Sequence, residues 1–248
     1  MVYLKSGDEI AKIRKASQIV AKTLDILGRH VAPGISTREL DTIAETEIRK
    51  AGAVPAFKGY RGFPATLCVS VNEEIVHGIP SGKRLKEGDI VSLDLGCIWE
   101  DFYGDAAKTY FVGNVSEEAK KLTAVTEQSL HLAIQQARPG NRIGDIGHAV
   151  QSFVESYGYS VVRDFVGHGI GRNLHEDPQV PNYGKAGQGH RIKPGLVLAI
   201  EPMVCMGKPD VEILSDSWTA VTRDRSLAAH FEHSIAVTND GPVVLSVA

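Results

Sequence analysis

The chain is poor in cysteine: Cys68, Cys97 and Cys205 are odd in number, far apart and include no Cys-x-x-Cys pair. That excludes a disulfide framework and a structural zinc knuckle, and it fits a reducing compartment. The chain also lacks a positive excess, with 27 Lys and Arg against 30 Asp and Glu and a formal net charge of −3. Neither nucleic-acid nor membrane-surface binding follows from such a balance. No stretch approaches the roughly 18 apolar residues of a membrane span, and the first residues, with Lys5, Asp8 and Glu9, hold no apolar signal-peptide core. A cytoplasmic protein with no DNA and no membrane partner is therefore expected. Gly184-Lys-Ala-Gly187-Gln-Gly189 is glycine-rich but lacks the Gly-Lys-Ser/Thr ending of a phosphate loop. No low-complexity segment or linker divides the 248 residues, and a hydrophobic fraction of 43% is enough to bury a core.

What is present has a clear order. Ile10, Ile13, Val20, Leu24 and Leu27 stand at helical spacing behind a capping box, Ser6 with Glu9, which predicts an amphipathic helix over 7–27. After Pro33-Gly34 a second capping box, Ser36 with Glu39, opens a helix that runs to Gly52. Short β-branched runs at 67–71 and 89–95, set between Gly and Pro clusters, predict sheet. The order then recurs: Ser116 caps a helix over 117–137, Pro139-Gly140 interrupts, and a helix from Arg142 to Tyr157 ends at Gly158. Pro33 to Pro139 and Gly52 to Gly158 share an offset of 106, and Lys86–Asp94 aligns with Lys193–Glu201 at 107. Three matches near one offset indicate a duplicated helix-helix-strand unit. A single pseudo-symmetric α+β domain over 1–248 is expected, with repeats of roughly 1–110 and 111–248.

The aligned runs both close on a carboxylate, Asp94 and Glu201, each placed at the end of an apolar strand where charge is costly without compensation. Taken alone, either could be a strand residue turning to solvent. By the two-residue strand period Asp94 lies on the face opposite Val91, Leu93 and Leu95. A turn at Trp99-Glu100 would set Asp105 directly opposite Asp94. Two like charges so placed repel, and a cation between them is the simplest resolution. His168 and His175 lie in a glycine-rich stretch, and Glu232 heads another apolar run.

Together these residues carry a resemblance. Ser70-Val-Asn-Glu-Glu-Ile-Val-His77-Gly-Ile-Pro80, Asp94, Tyr103-Gly-Asp105, Gly167-His-Gly-Ile-Gly171, His175-Glu-Asp-Pro178, Ile200-Glu-Pro-Met203, Trp218-Thr219 and Phe231-Glu-His233 occur in one order along the chain. In that order and spacing the chain resembles the type I methionine aminopeptidases, the form without an N-terminal zinc-finger extension, over essentially its full length. The resemblance implies a pita-bread fold, two pseudo-symmetric halves around a curved antiparallel sheet.

It also implies two divalent metal ions per chain, Co, Mn, Fe(II) or Zn, held by Asp94, Asp105, His168, Glu201 and Glu232. Asp105 and Glu232 would bridge, Asp94 would complete one ion, and His168 with Glu201 the other. Four carboxylates and an imidazole suit such ions and differ from a thiolate zinc site. The implied activity is removal of an N-terminal methionine from peptides and nascent chains whose second residue is small, by a hydroxide bridging the two ions. His175 would polarise the scissile carbonyl and His77 contact the peptide nitrogen, while Glu201, with an exchangeable water as the alternative, would carry the proton. Tyr60, Phe63, Cys68, Leu174 and Trp218, with Phe57, would wall the thioether pocket, although core packing alone would account for Leu174 and Phe57. Phe63 stands where Tyr is common and Leu174 where Phe is common; both exchanges keep the pocket apolar, so methionine preference is expected. A monomer with transient ribosome contact completes the picture. Two other readings remain open at this stage: an X-Pro peptidase on the same fold, and a metal-free peptide-binding module.

Overall fold

The computed structural model describes residues 2–248. In the first half, α1 (Gly7–His30) and α2 (Thr37–Lys50) precede β1 (Val54–Pro55), β2 (Leu67–Val71), β3 (Glu74–Val76), β4 (Ile90–Trp99) and β5 (Phe102–Phe111). In the second, α3 (Glu117–Gln136) and α4 (Ile143–Ser156) precede β6 (Ser160–Val161), β7 (Gly167–Gly169), β8 (Glu176–Val180) and β9 (Val197–Ile200). Then follow β10 (Met203–Cys205), β11 (Val211–Ile213), β12 (Ala220–Thr222), β13 (Ala228–His230), β14 (Glu232–Thr238) and β15 (Gly241–Val244). No helix among the described residues is long and apolar enough to cross a membrane.

Both predicted capping boxes form: Ser6 and Ser36 accept from the amides of Glu9 and Glu39, whose carboxylates bond back to the serine amides. Each satisfies two otherwise orphaned donors and fixes where its helix starts.

The main sheet runs β1-β4-β5-β14-β9-β7-β8, with β2 also on β4 and β15 on β14. Its centre is the β5–β14 pair, and outward from it β4 and β2 on one side correspond to β9 and β7 on the other. Three glycines and their counterparts share the left-handed conformation: Gly34 and Gly140 (φ +96° and +97°), Gly52 and Gly158 (+77° and +80°), Gly88 and Gly195 (+91° and +88°). A side chain at such φ is strained, so glycine recurs where each half makes the same turn. The two halves are thus pseudo-symmetric, as the 106–107 spacing predicts.

Helices cover one face of the sheet. Ala16, Val20, Leu24 and Leu27 of α1 bury against Leu93, Leu95 and Ala106, and α3 and α4 do the same over Leu198, Ile200 and Ile235. Each fully buried leucine contributes roughly 1.5–3 kcal/mol. The opposite face carries Asp94, Asp105, His168 and Glu232 among apolar residues such as Cys68, Ala107 and Val197.

Candidate metal centre and substrate cavity

Sheet register assembles the site. Cys68 pairs with Asp94, Asp94 with Ala107 and Ala107 with Glu232, so one row crosses β2, β4, β5 and β14 on the helix-free face. Ala107, a methyl between two carboxylates, leaves open the space a larger side chain would fill. The adjacent row holds Gly96 paired with Asp105, then Ser234, Ala199 and His168. Ser234 stitches that row: its hydroxyl donates to the Asp105 carbonyl at 2.7 Å and accepts from the Asp105 amide at 3.3 Å. Glu201 follows β9 directly, and the Asn182 side chain donates to its carbonyl at 3.0 Å.

Two expectations need correction. Asp94 lies in the middle of β4, not at its end, and Asp105 faces Gly96, with Ala107 opposite Asp94. The hairpin turns at Glu100-Asp101, both at positive φ (46° and 65°), one residue later than expected. This moves the register by two, which preserves the parity of the strand: both carboxylates keep the same face, as diagonal rather than direct neighbours.

Asp105, His168 and Glu232 are each less than a tenth exposed, and their ligand atoms lie within 4.8 Å of one another. His168 Nδ1 donates to the Gly169 carbonyl at 2.9 Å, which fixes the tautomer and leaves the Nε2 lone pair for the site. That Nε2 lies 3.5 Å from Glu201 Oε1 and 4.0 Å from Asp105 Oδ2. These are not ion pairs, because burial drives the His168 pKa down to about 3. Burial acts the opposite way on the acids: Asp94 rises to about 7 and Glu201 to about 8, while Asp105 and Glu232 rise well above the usual carboxylate range. Neighbouring carboxylates add to the rise at Asp105 and Glu232.

One oxygen each of Asp94, Asp105 and Glu232 is buried without any hydrogen-bond partner. Such atoms ordinarily cost about 1–3 kcal/mol each, and divalent cations would compensate all of them at once. The donor set, oxygens with imidazole, fits hard to borderline ions, and Cys68 contributes no thiolate because burial holds its thiol well above its ordinary pKa.

A cavity of about 330 Å³ opens above these groups. Every candidate site residue from the sequence lines it: the four acids Asp94, Asp105, Glu201 and Glu232, the His168 imidazole, His77, His175, Tyr60, Phe63, Cys68, Leu174, Trp218 and Phe57. The Phe63 ring meets the Trp218 ring edge-on at 5.1 Å. His77 stacks edge-on against Phe165 at 5.2 Å, and burial lowers its pKa to about 4. His175 lies at the rim, its ring 4.3 Å from that of His168 and its Nδ1 2.8 Å from the Tyr60 hydroxyl. Burial and then the Arg61 charge lower its pKa. Sequence reasoning missed Arg61, Asp164, Phe165 and Val166, which share the lining. It also missed His230, buried beside Glu201. No sequence signal marked His230, which ends β13 of a small three-stranded sheet while Glu232 opens β14 of the main one.

The sequence model of metallopeptidase family M24 matches residues 11–239. Methionine aminopeptidase 1 of Bacillus subtilis is 53% identical over 99% of both chains. The Clostridium acetobutylicum methionine aminopeptidase is 51% identical over 100% of this chain and 99% of its own. Among solved structures, the Thermotoga maritima methionine aminopeptidase superposes with a TM-score of 0.99 at 47% identity over the whole of both chains. The Pyrococcus horikoshii prolidase shares the fold at a TM-score of 0.81 and 25% identity, covering 98% of this chain and 63% of its own. The chain belongs to metallopeptidase family M24.

Proposed function

We propose that this chain removes N-terminal methionine from peptides and nascent proteins whose second residue is small. The observation that carries the reading is the set of buried, unpartnered carboxylate oxygens of Asp94, Asp105 and Glu232 at the floor of an apolar-walled cavity. Asp94, Asp105, His168, Glu201 and Glu232 would hold two divalent ions. When bound, such ions supply a water acidified to near neutral pH and a Lewis acid for the carbonyl.

The chain's own groups do the rest. Phe63, Cys68, Leu174 and Trp218 receive the thioether side chain in an apolar, unbranched-fitting slot. A Tyr60 hydroxyl that donates to His175 Nδ1 leaves that ring's proton on Nε2, where it can donate to the substrate carbonyl oxygen. His77, kept neutral by burial, would contact the peptide nitrogen. Glu201, whose carboxylate is made a stronger base by burial, would take the proton that the attacking water loses and pass it to the leaving amine nitrogen. Acting on nascent chains would place the protein in the cytoplasm as a monomer in transient contact with ribosomes.

The test is a substrate series. Met-Ala-Ser should release methionine with kcat/KM at least about tenfold above Met-Leu-Ser, and Ala-Pro peptides should not be cleaved. Preferential cleavage of X-Pro bonds would overturn the reading.

A further inference from the structure

The metal centre just described is built from one imidazole, His168, yet a second buried imidazole reaches the same carboxylate. His230 is 1% exposed, and neither of its ring nitrogens has a hydrogen-bond partner. Of the six buried side-chain polar atoms without a partner among the described residues, five belong to Asp94, Asp105, Glu232 and His230. His230 Nε2 lies 3.6 Å from Glu201 Oε2, and His168 Nε2 lies 3.5 Å from Glu201 Oε1. Each oxygen of Glu201 therefore meets one imidazole. Both separations are longer than a hydrogen bond. They match two donors on one ion, since bonds of about 2.1 Å at a tetrahedral angle set ligand atoms roughly 3.4 Å apart.

The position is also held firmly. Thr109 Oγ1 accepts from the His230 amide at 3.1 Å and donates to its carbonyl at 2.9 Å, and β13 pairs His230 with Met203. His230, Glu201 and Glu232 form a second group whose ligand atoms all lie within 4.8 Å, beside the Asp105, His168 and Glu232 group. A structural imidazole in such a place would bond at least one of its nitrogens to the protein.

We infer that His230 is a nitrogen ligand of this centre, so that the chain brings two imidazoles, His168 and His230, to its ions. The inference rests on the dinuclear-metal reading above and adds a ligand to it. A neutral imidazole coordinates through one lone pair and keeps a proton on the other nitrogen, so His230 adds no charge to the four carboxylates. It would strengthen the side of the centre that Glu201 and Glu232 share.

The test uses the full chain loaded with two equivalents of Co(II), read by X-ray absorption for imidazole scattering and by titration calorimetry for affinity. The wild-type protein should show two imidazoles per chain. His230→Gln keeps a polar side chain beside Glu201, and it should show one imidazole and bind its weaker equivalent at least about tenfold less tightly. A wild-type count of one, or a His230→Gln count equal to that of the wild type, would overturn the inference while leaving the dinuclear centre standing. Absence of Co(II) binding by the wild type would overturn both. If His230→Gln fails to fold, the wild-type count decides alone.

Discussion

Asp94, Asp105, Glu201 and Glu232 bring four carboxyl groups into one desolvated region, and no lysine or arginine offsets the rise that burial gives their pKa values. Without a cation they are kept neutral by protonation, and divalent ions would take the place of those protons. His77 and His175 differ from this set: they line the cavity beside the carboxylates, and each has its own packing or hydrogen-bond partner in Phe165 and Tyr60. Replacing either should therefore spare metal binding and damage turnover. His175→Ala and His77→Ala are each expected to lower kcat by about 10²–10⁴ with metal content unchanged by elemental analysis. Loss of metal along with activity would move the residue into the ligand set. At this scale much of the site was legible, because a carboxylate in an apolar strand is conspicuous. His230 was not legible: a lone histidine beside an aromatic looks like core until its unpartnered nitrogens are seen.

At the scale of elements, backbone contact governs how well the site is held. Gly104 precedes Asp105 on β5 where the strand meets α1, and a Cβ there would fall 2.3 Å from the Ser17 amide nitrogen and 2.5 Å from the Ala16 carbonyl carbon. The clash is with helix backbone, which cannot turn aside. Gly104→Ala should push α1 from the sheet and destabilise by about 1–3 kcal/mol, lowering the midpoint of thermal unfolding by roughly 2–12 °C. An unchanged midpoint would show that α1 can move freely over β5. The helices were legible to within a few residues because Ser-x-x-Glu boxes and Pro-Gly breaks act locally. The β4–β5 turn was not, because Glu100-Asp101 takes up two positive-φ positions without the Asn-Gly or Asp-Gly signal that marks such hairpins.

For the whole molecule, the repeat has a chemical consequence. Asp94 and Glu201 occupy corresponding places in the two halves, and the centre lies where β5 of one half meets β14 of the other. We read the chain as a single domain whose halves share one metal centre, so metal should tie them together. At free metal about 100 times Kd each occupied site adds roughly 2.7 kcal/mol, a rise of about 5–11 °C in unfolding midpoint for a chain of this size. Calorimetric scans with chelator and with added Mn(II) or Co(II) would measure it, and equal midpoints would separate the centre from stability. The offset of 106–107 made the duplication legible in the sequence. The second imidazole required distances, because only the folded sheet brings β13 against Glu201.

The most direct measurement of the central claim is methionine release from Met-Ala-Ser by protein stripped with chelator and then given Mn(II), Co(II), Fe(II) or Zn(II) one at a time. Release should vanish on chelation and return with at least one ion. Release that survives chelation, or that no divalent ion restores, would contradict the account.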